Sequence, residues 1–141
     1  NYLGRISKPL LDRIDIFTET IILKYGEISN SDKGENSYDV RKRIEKVHHI
    51  QKERYKNDGI LFNSELSAGM IKRYCVMDNE AKEYLENIFE NMEFSARAYH
   101  KVLKTARTIA DMDESGEIKR KHISEAVCYR TADKKYWGVT M

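Results

Sequence analysis

Helix breakers are scarce in this chain: one proline and seven glycines stand among 141 residues. Proline removes a backbone donor and glycine raises the entropic cost of ordering, so their scarcity leaves long stretches able to be helical. Cysteine is rare too. Cys75 and Cys128 form no CxxC pair, which argues against a disulfide framework or a paired-cysteine zinc site and fits reduced thiols in a cytoplasmic protein. No apolar run approaches the roughly 18 residues that span a bilayer, and no signal-peptide pattern is seen, so no membrane partner is expected. An excess of one charge is also missing. The 25 basic and 23 acidic side chains leave a net charge of +2, too small for bulk electrostatics to argue for nucleic acid. Finally, no GxxxxGK[ST] loop occurs, so the chain alone cannot cradle a triphosphate in that manner.

What is present describes a soluble globular unit with a heavily charged surface: 40% of residues are hydrophobic and 34% charged, at a length that suits one domain. From Ser37 onward the pattern reads as helix and connector. Ser37–Tyr55 places Val40, Ile44, Val47 and Ile50 on one stripe, and Asp58-Gly59 ends it. A short helix follows near Ser67–Tyr74. Asp78 caps a helix whose inward set is Ala81, Tyr84, Leu85, Ile88, Phe89 and Met92. Ser95 opens the next, with Tyr99, Val102, Leu103, Ala106, Ile109 and Ala110 inward, and Asp113-Glu114-Ser115-Gly116 ends it. Ile123, Ala126 and Val127 define a last short helix. The expected fold is mainly α, a bundle of four or five helices over 37–141.

The first 25 residues differ. Ser7-Lys8-Pro9-Leu10-Leu11 reads as a capped helical turn, since proline is tolerated in a first turn. Ile14–Leu23 is rich in β-branched and aromatic residues on both alternating faces, as in a strand covered on two sides. No second strand signal follows, so this strand is an orphan whose partners lie elsewhere. Residues 26–36 are polar and aperiodic, a linker. The chain also opens at Asn1 without an initiator methionine, which suggests an excised piece.

Few residues carry recognisable chemistry. His48 and His49 are adjacent and point about 100° apart on a helix, a poor metal pair, and His100 and His122 lack ligand-spaced partners. The basic residues of Ser37–Tyr55 are mixed with Glu45 and Glu53, as on a solvated face. Two arginines stand out by setting. Arg13 sits between the capped turn and the strand, where a guanidinium can donate to several phosphate oxygens at once; a salt bridge with Asp12 or Asp15 is the simpler reading of the residues alone. Arg97 lies in the first turn of a helix, beside Lys101 and Lys104 on its polar side, where anions are favoured; a plain exposed arginine is the alternative.

The segments YLGRISKPLLDRIDI, GENSYDVRKRIEKVHHIQKERY, FNSELS, FSARAYHKVLKTARTIADM and HISEAVCYR, in that order, resemble magnesium-chelatase-like AAA+ ATPases of the ComM/YifB kind. The first is close to S-G-P-L-L-D-R-I-D at the end of the ATPase core, and the others are similar to the family's C-terminal helical domain. The resemblance implies that residues 1–25 end an α/β core and 37–141 form the helical lid. It also implies that Arg13 is the arginine finger and that Arg97 is the sensor-2 arginine, which binds nucleotide. Lys8 stands where glycine is common in the family, which bears on the turn that aims Arg13.

The resemblance further implies ATP and Mg²⁺ as cofactors of the full-length protein, with none expected on the fragment. It implies a self-assembled ring, usually a hexamer, and a parent acting on DNA by unwinding or branch migration during natural transformation. This piece alone, without a phosphate loop, is not expected to be catalytic. A free-standing helical interaction module and a small DNA-binding domain are the alternatives. The sequence upstream of Asn1 discriminates: a GxxxxGK[ST] followed by an acidic strand end is expected, and its absence from the parent would remove the ATPase reading.

Overall fold

The structure is a computed structural model. It describes residues 7–11, 13–20, 22, 34–92 and 94–137, without the side chains of residues 8, 9 and 131–137. The backbone N–H groups at a helix start have no partner within the helix, and the sequence supplies short polar side chains to satisfy them. After a one-turn helix α1 (Lys8–Leu11), Asn36 opens α2 (Ser37–Tyr55), its Oδ1 accepting from the Asp39 N–H at 2.9 Å. Ser67 opens α3 (Ala68–Tyr74), accepting from Met70. Asp78 precedes α4 (Asn79–Met92) and accepts from the Ala81 N–H at 2.8 Å. Ser95 opens α5 (Ala96–Met112), accepting from Ala98 at 3.2 Å. The last element is α6 (Arg120–Trp137).

The end of α5 is closed as firmly as its start. Ser115 N–H bonds to the Ala110 carbonyl at 2.8 Å and Glu114 N–H to that of Asp111 at 3.1 Å. This is the paired closure of a Schellman motif, with Glu114 in the left-handed position at φ 52. A parallel bridge between Met77 and Ile118 then aligns the entry of α4 with that of α6. Ile118 N–H donates to the Val76 carbonyl at 2.8 Å, and its side chain is fully buried.

α5 is the hub, packing against α6, α2, α3 and the 3-10 turn Asn63–Glu65, while α4 lies on α6. The core gathers Leu85 of α4, Val102, Leu103, Ala106 and Ala110 of α5, and Ile123, Ala126 and Val127 of α6, with Ile71, Cys75 and Ile118. Among the described residues the protein is thus mainly α, with five helices beyond α1 and no sheet, as the sequence pattern implies.

Two details of the helices depart from the pattern. The last helix is long, 18 residues. The buried face of α2 is Val47, Gln51 and Tyr55, whereas Ile44 is exposed. Residues 14–20 and 22, within the segment read as an orphan strand, pair with no strand among the described residues, and Ile14, Ile16 and Ile22 are exposed. Residue 21, Leu23 and residues 26–33 of the expected strand and linker lie outside the described residues.

A polar core explains why α2 turns Gln51 inward. The Asp111 carboxylate, with a side chain fully enclosed, meets two guanidiniums. Arg54 grips it with both terminal nitrogens, and Arg107, one turn earlier on α5, donates from Nε at 3.1 Å. Arg107 continues to the carbonyls of Ser115 and Gly116. Buried Asn63 donates to Asp111 and Thr108, both at 2.9 Å. Its Oδ1 accepts from Arg54 and the Tyr55 hydroxyl, and its N–H donates to Gln51. Burial works against the charge on Arg54, yet the hydrogen bonds and charge of Asp111 overcome it and raise its pKa.

Removing the carboxylate leaves two guanidiniums without their counter-ion. Asp111→Ala should cost about 3–5 kcal/mol of stability, read as a fall in the thermal or denaturant midpoint, whereas Arg43→Ala, at an exposed ion pair, should cost less than about 1 kcal/mol.

Candidate functional site

Arg13 follows α1 directly. Its N–H bonds to the Leu10 carbonyl at 3.0 Å, so the helical turn continues into the arginine, and its side chain is exposed. Buried Leu11 anchors the turn from the inside. Asp15, one of the two acids that could have paired with Arg13, instead pairs with Lys101 of α5 at 2.8 Å; Asp12 lies outside the described residues.

Lys101 also donates to the Arg13 carbonyl oxygen at 2.5 Å. From α6, Arg130 donates to the Ile14 carbonyl and lies over the Phe17 ring, 5.4 Å from its centroid. Phe17 N–H bonds to the Tyr129 carbonyl at 2.9 Å. The stretch 13–17, which covers Arg13 and the start of the segment read as an orphan strand (Ile14–Leu23), is a strap laid across α5 and α6.

Arg97 occupies the second position of α5 and is exposed. The first-turn N–H groups of a 17-residue helix give its surroundings an affinity for anions. Lys101 stands one turn further on the same side of α5. The structure thus brings the Arg13 backbone to the part of α5 that carries Arg97. Lys104 completes this side by donating to the Ser64 carbonyl at 2.8 Å.

The sequence shows Lys101 as a charge beside Arg97 and gives no sign that it holds Arg13. Arg130, whose bond to Ile14 spans 116 positions, is likewise silent in the sequence, since no local spacing reports such a contact.

Other charged groups serve the scaffold. On α2, Arg43 makes a two-point bond with Glu35 at 2.8 and 3.0 Å, Lys46 pairs with Glu114 at 2.6 Å, and Arg54 belongs to the Asp111 core. His122 is buried and closes the start of α6: its Nδ1 accepts from the Lys119 N–H at 2.9 Å. That bond leaves the ring proton on Nε2, which faces Asp113 Oδ2 at 3.1 Å. Among the described residues, no group of three or more His, Cys, Asp or Glu is placed to hold a metal, and no helix is long and apolar enough to cross a membrane. Cys75 is buried, and burial raises its thiol pKa to about 11, while Cys128 is exposed.

Comparison with known proteins agrees with this architecture. A family model described as "Magnesium chelatase, subunit ChlI C-terminal" matches residues 34–130. The chain is 38% identical to the protein YifB of Salmonella typhimurium over 134 residues, 94% of this chain and 26% of that protein. It is 38% identical to Competence protein ComM of Haemophilus influenzae over 130 residues, 92% of this chain and 25% of that protein. It is 30% identical to an uncharacterized protein of Mycobacterium tuberculosis over 111 residues, 79% of this chain and 22% of that protein. The chain thus spans about a quarter of the length of the curated relatives it matches.

The Asp113 link yields a pH signature. Hydrogen bonds from Lys121 and His122 hold its carboxyl below the usual range. A carboxyl lowered in the folded state contributes stability that is full above its unfolded value, about 4, and is lost as pH falls through the folded value. Asp113→Asn should therefore lower Tm at pH 7, and the gap to the parent should close as pH falls below about 4; thermal melts across that range check this.

Proposed function

The chain belongs to the magnesium chelatase subunit ChlI C-terminal family, and from this premise we propose that it is the arginine-bearing lid portion of a ring-forming AAA+ ATPase. Arg13 acts as the arginine finger, reaching the phosphate end of a nucleotide held by the neighbouring subunit. Arg97 acts as sensor 2 at the head of α5. The observation that carries this reading is the strap: Lys101 holds the Arg13 carbonyl one turn along α5 from Arg97.

The residues present fit the polyphosphate end of a nucleotide. Two exposed guanidiniums are offered from rigid elements, one beside the N–H groups of a helix start, and both can donate to several phosphate oxygens. Mg²⁺-bound ATP, cradled by a phosphate loop outside this chain, supplies the phosphoryl group to be transferred. Arg13 and Arg97 place positive charge where negative charge gathers on that group. A finger that serves a neighbour requires head-to-tail contacts that close, hence a ring, proposed as a hexamer in keeping with the family resemblance. The helical domain then relays nucleotide state into motion.

For the parent protein we propose action on DNA, by unwinding or branch migration, in keeping with the competence protein among its relatives. The protein is proposed to be cytoplasmic. Three of the six basic residues of α2, Arg43, Lys46 and Arg54, are bonded to acids of this chain, which reduces the charge that helix can offer a DNA backbone.

In the full-length protein, Arg13→Ala should reduce ATP turnover by ~10³-fold or more while nucleotide affinity stays within about two-fold. Near-normal turnover would remove the finger assignment.

A further inference from the structure

The way residues 13–17 are held differs from ordinary packing. Ile14 and Ile16 are 39% and 50% exposed, so these side chains are only partly covered. Directional bonds add to that packing, at residues 13, 14, 15 and 17. Two are made by largely covered cations, Lys101 with a side chain 14% exposed and Arg130, 3% exposed. Desolvating a cation is costly unless good acceptors meet it. Both cations direct bonds to backbone oxygens of the strap: Lys101 to the Arg13 carbonyl and Arg130 to that of Ile14. A tether needs only affinity, whereas charge-assisted bonds to successive peptide groups also fix orientation.

We propose that Lys101 is a positioning residue for Arg13, and that with Arg130 it clasps the strap so that the guanidinium is presented in one fixed direction. This inference rests on the finger reading of Arg13. Lys101 lies one turn along α5 from Arg97, so a displacement of α5 moves both arginines together. Lys101 has its ammonium on Arg13 and Asp15, and it acts through Arg13. Misaiming a charge-stabilising group by about 1 Å costs on the order of 10²-fold in rate, so losing the clasp should lower kcat with little effect on ground-state binding.

The test uses the full-length protein and four variants: Lys101→Met, which keeps the aliphatic stem; Lys101→Arg; Arg13→Ala; and the double variant Arg13→Ala/Lys101→Met. Steady-state ATPase gives kcat and KM, a fluorescent ATP analogue gives affinity, and amide exchange is followed in the peptide covering 13–17. Lys101→Met should lower kcat about ten-fold or more with affinity unchanged within about two-fold, and exchange at Phe17 should speed up. Lys101→Arg should restore most of the rate. In the Arg13→Ala background Lys101→Met should cost nothing further, because residues that act as one unit are not additive.

If Arg13→Ala abolishes turnover and Lys101→Met leaves kcat normal, the clasp inference is wrong and the finger reading stands. A further loss in the double variant would show that Lys101 acts directly and would overturn the positioning role. Normal turnover of Arg13→Ala would sink the finger reading, and the inference with it. Should Lys101→Met fail to fold, Asp15→Ala, at a side chain 69% exposed, provides the second probe. A selective, smaller loss of kcat is then expected, and an unchanged kcat overturns the proposal.

Discussion

The fold depends on a buried carboxylate that cannot stand alone. Asp111 is enclosed on α5, and a single negative charge there would be prohibitively desolvated. Its companions therefore have to arrive together: Arg107 from the same helix, Arg54 from α2, and Asn63 from the 3-10 turn. Replacing such a set by apolar side chains can be neutral for stability, so its consequence here is better described as register. α2 can slide or rotate against α5 only by taking Arg54 off Asp111 and Gln51 off the Asn63 N–H. The same cluster reaches the Ser115 and Gly116 carbonyls, which holds the turn leading towards α6.

With its C-terminal end held by that cluster, α5 is a fixed bar, and its other half is the proposed functional one. Arg97 stands at its head and Lys101 a turn later. Between the two halves, Val102, Leu103 and Ala106 pack into the apolar core. Side chains on a helix so restrained keep their relative positions, which a charge-stabilising site requires. The strap at 13–17 is joined to this bar, and to α6, by polar contacts. It is thus a peripheral element oriented by the rigid part.

The helices were legible because their signals are local. Asp78 and Ser95, read as caps in the sequence, each cap the helix they precede, and the apolar spacing of α4 and α5 falls on their buried or half-buried faces. The motif segments that carry the family resemblance were legible as strings, but their meaning was not. FNSELS contains Asn63, the QKERY stretch contains Gln51, Arg54 and Tyr55, and KTARTIADM contains Arg107 and Asp111. These residues build the polar core. Periodicity missed it because a buried Gln or Asp reads as a solvent-facing position until its partners are known. The same blindness hid His122, whose bonds to Lys119 and Asp113 make it part of a helix start.

By itself the sequence determined that the chain is helical, where most helices begin, and which family its motifs resemble, since each of these follows from neighbours a few residues apart. It also marked Arg13 and Arg97 by their settings. Only the tertiary structure decided that Ile14–Phe17 lies as a strap on α5 and α6, that Lys101 and Arg130 hold it, and that Asp111 gathers three segments around one charge. Those outcomes depend on pairs such as Arg130 with Ile14, 116 positions apart. Hydrogen bonds between such distant groups leave no period or spacing in the chain, because they exist only after the helices have packed.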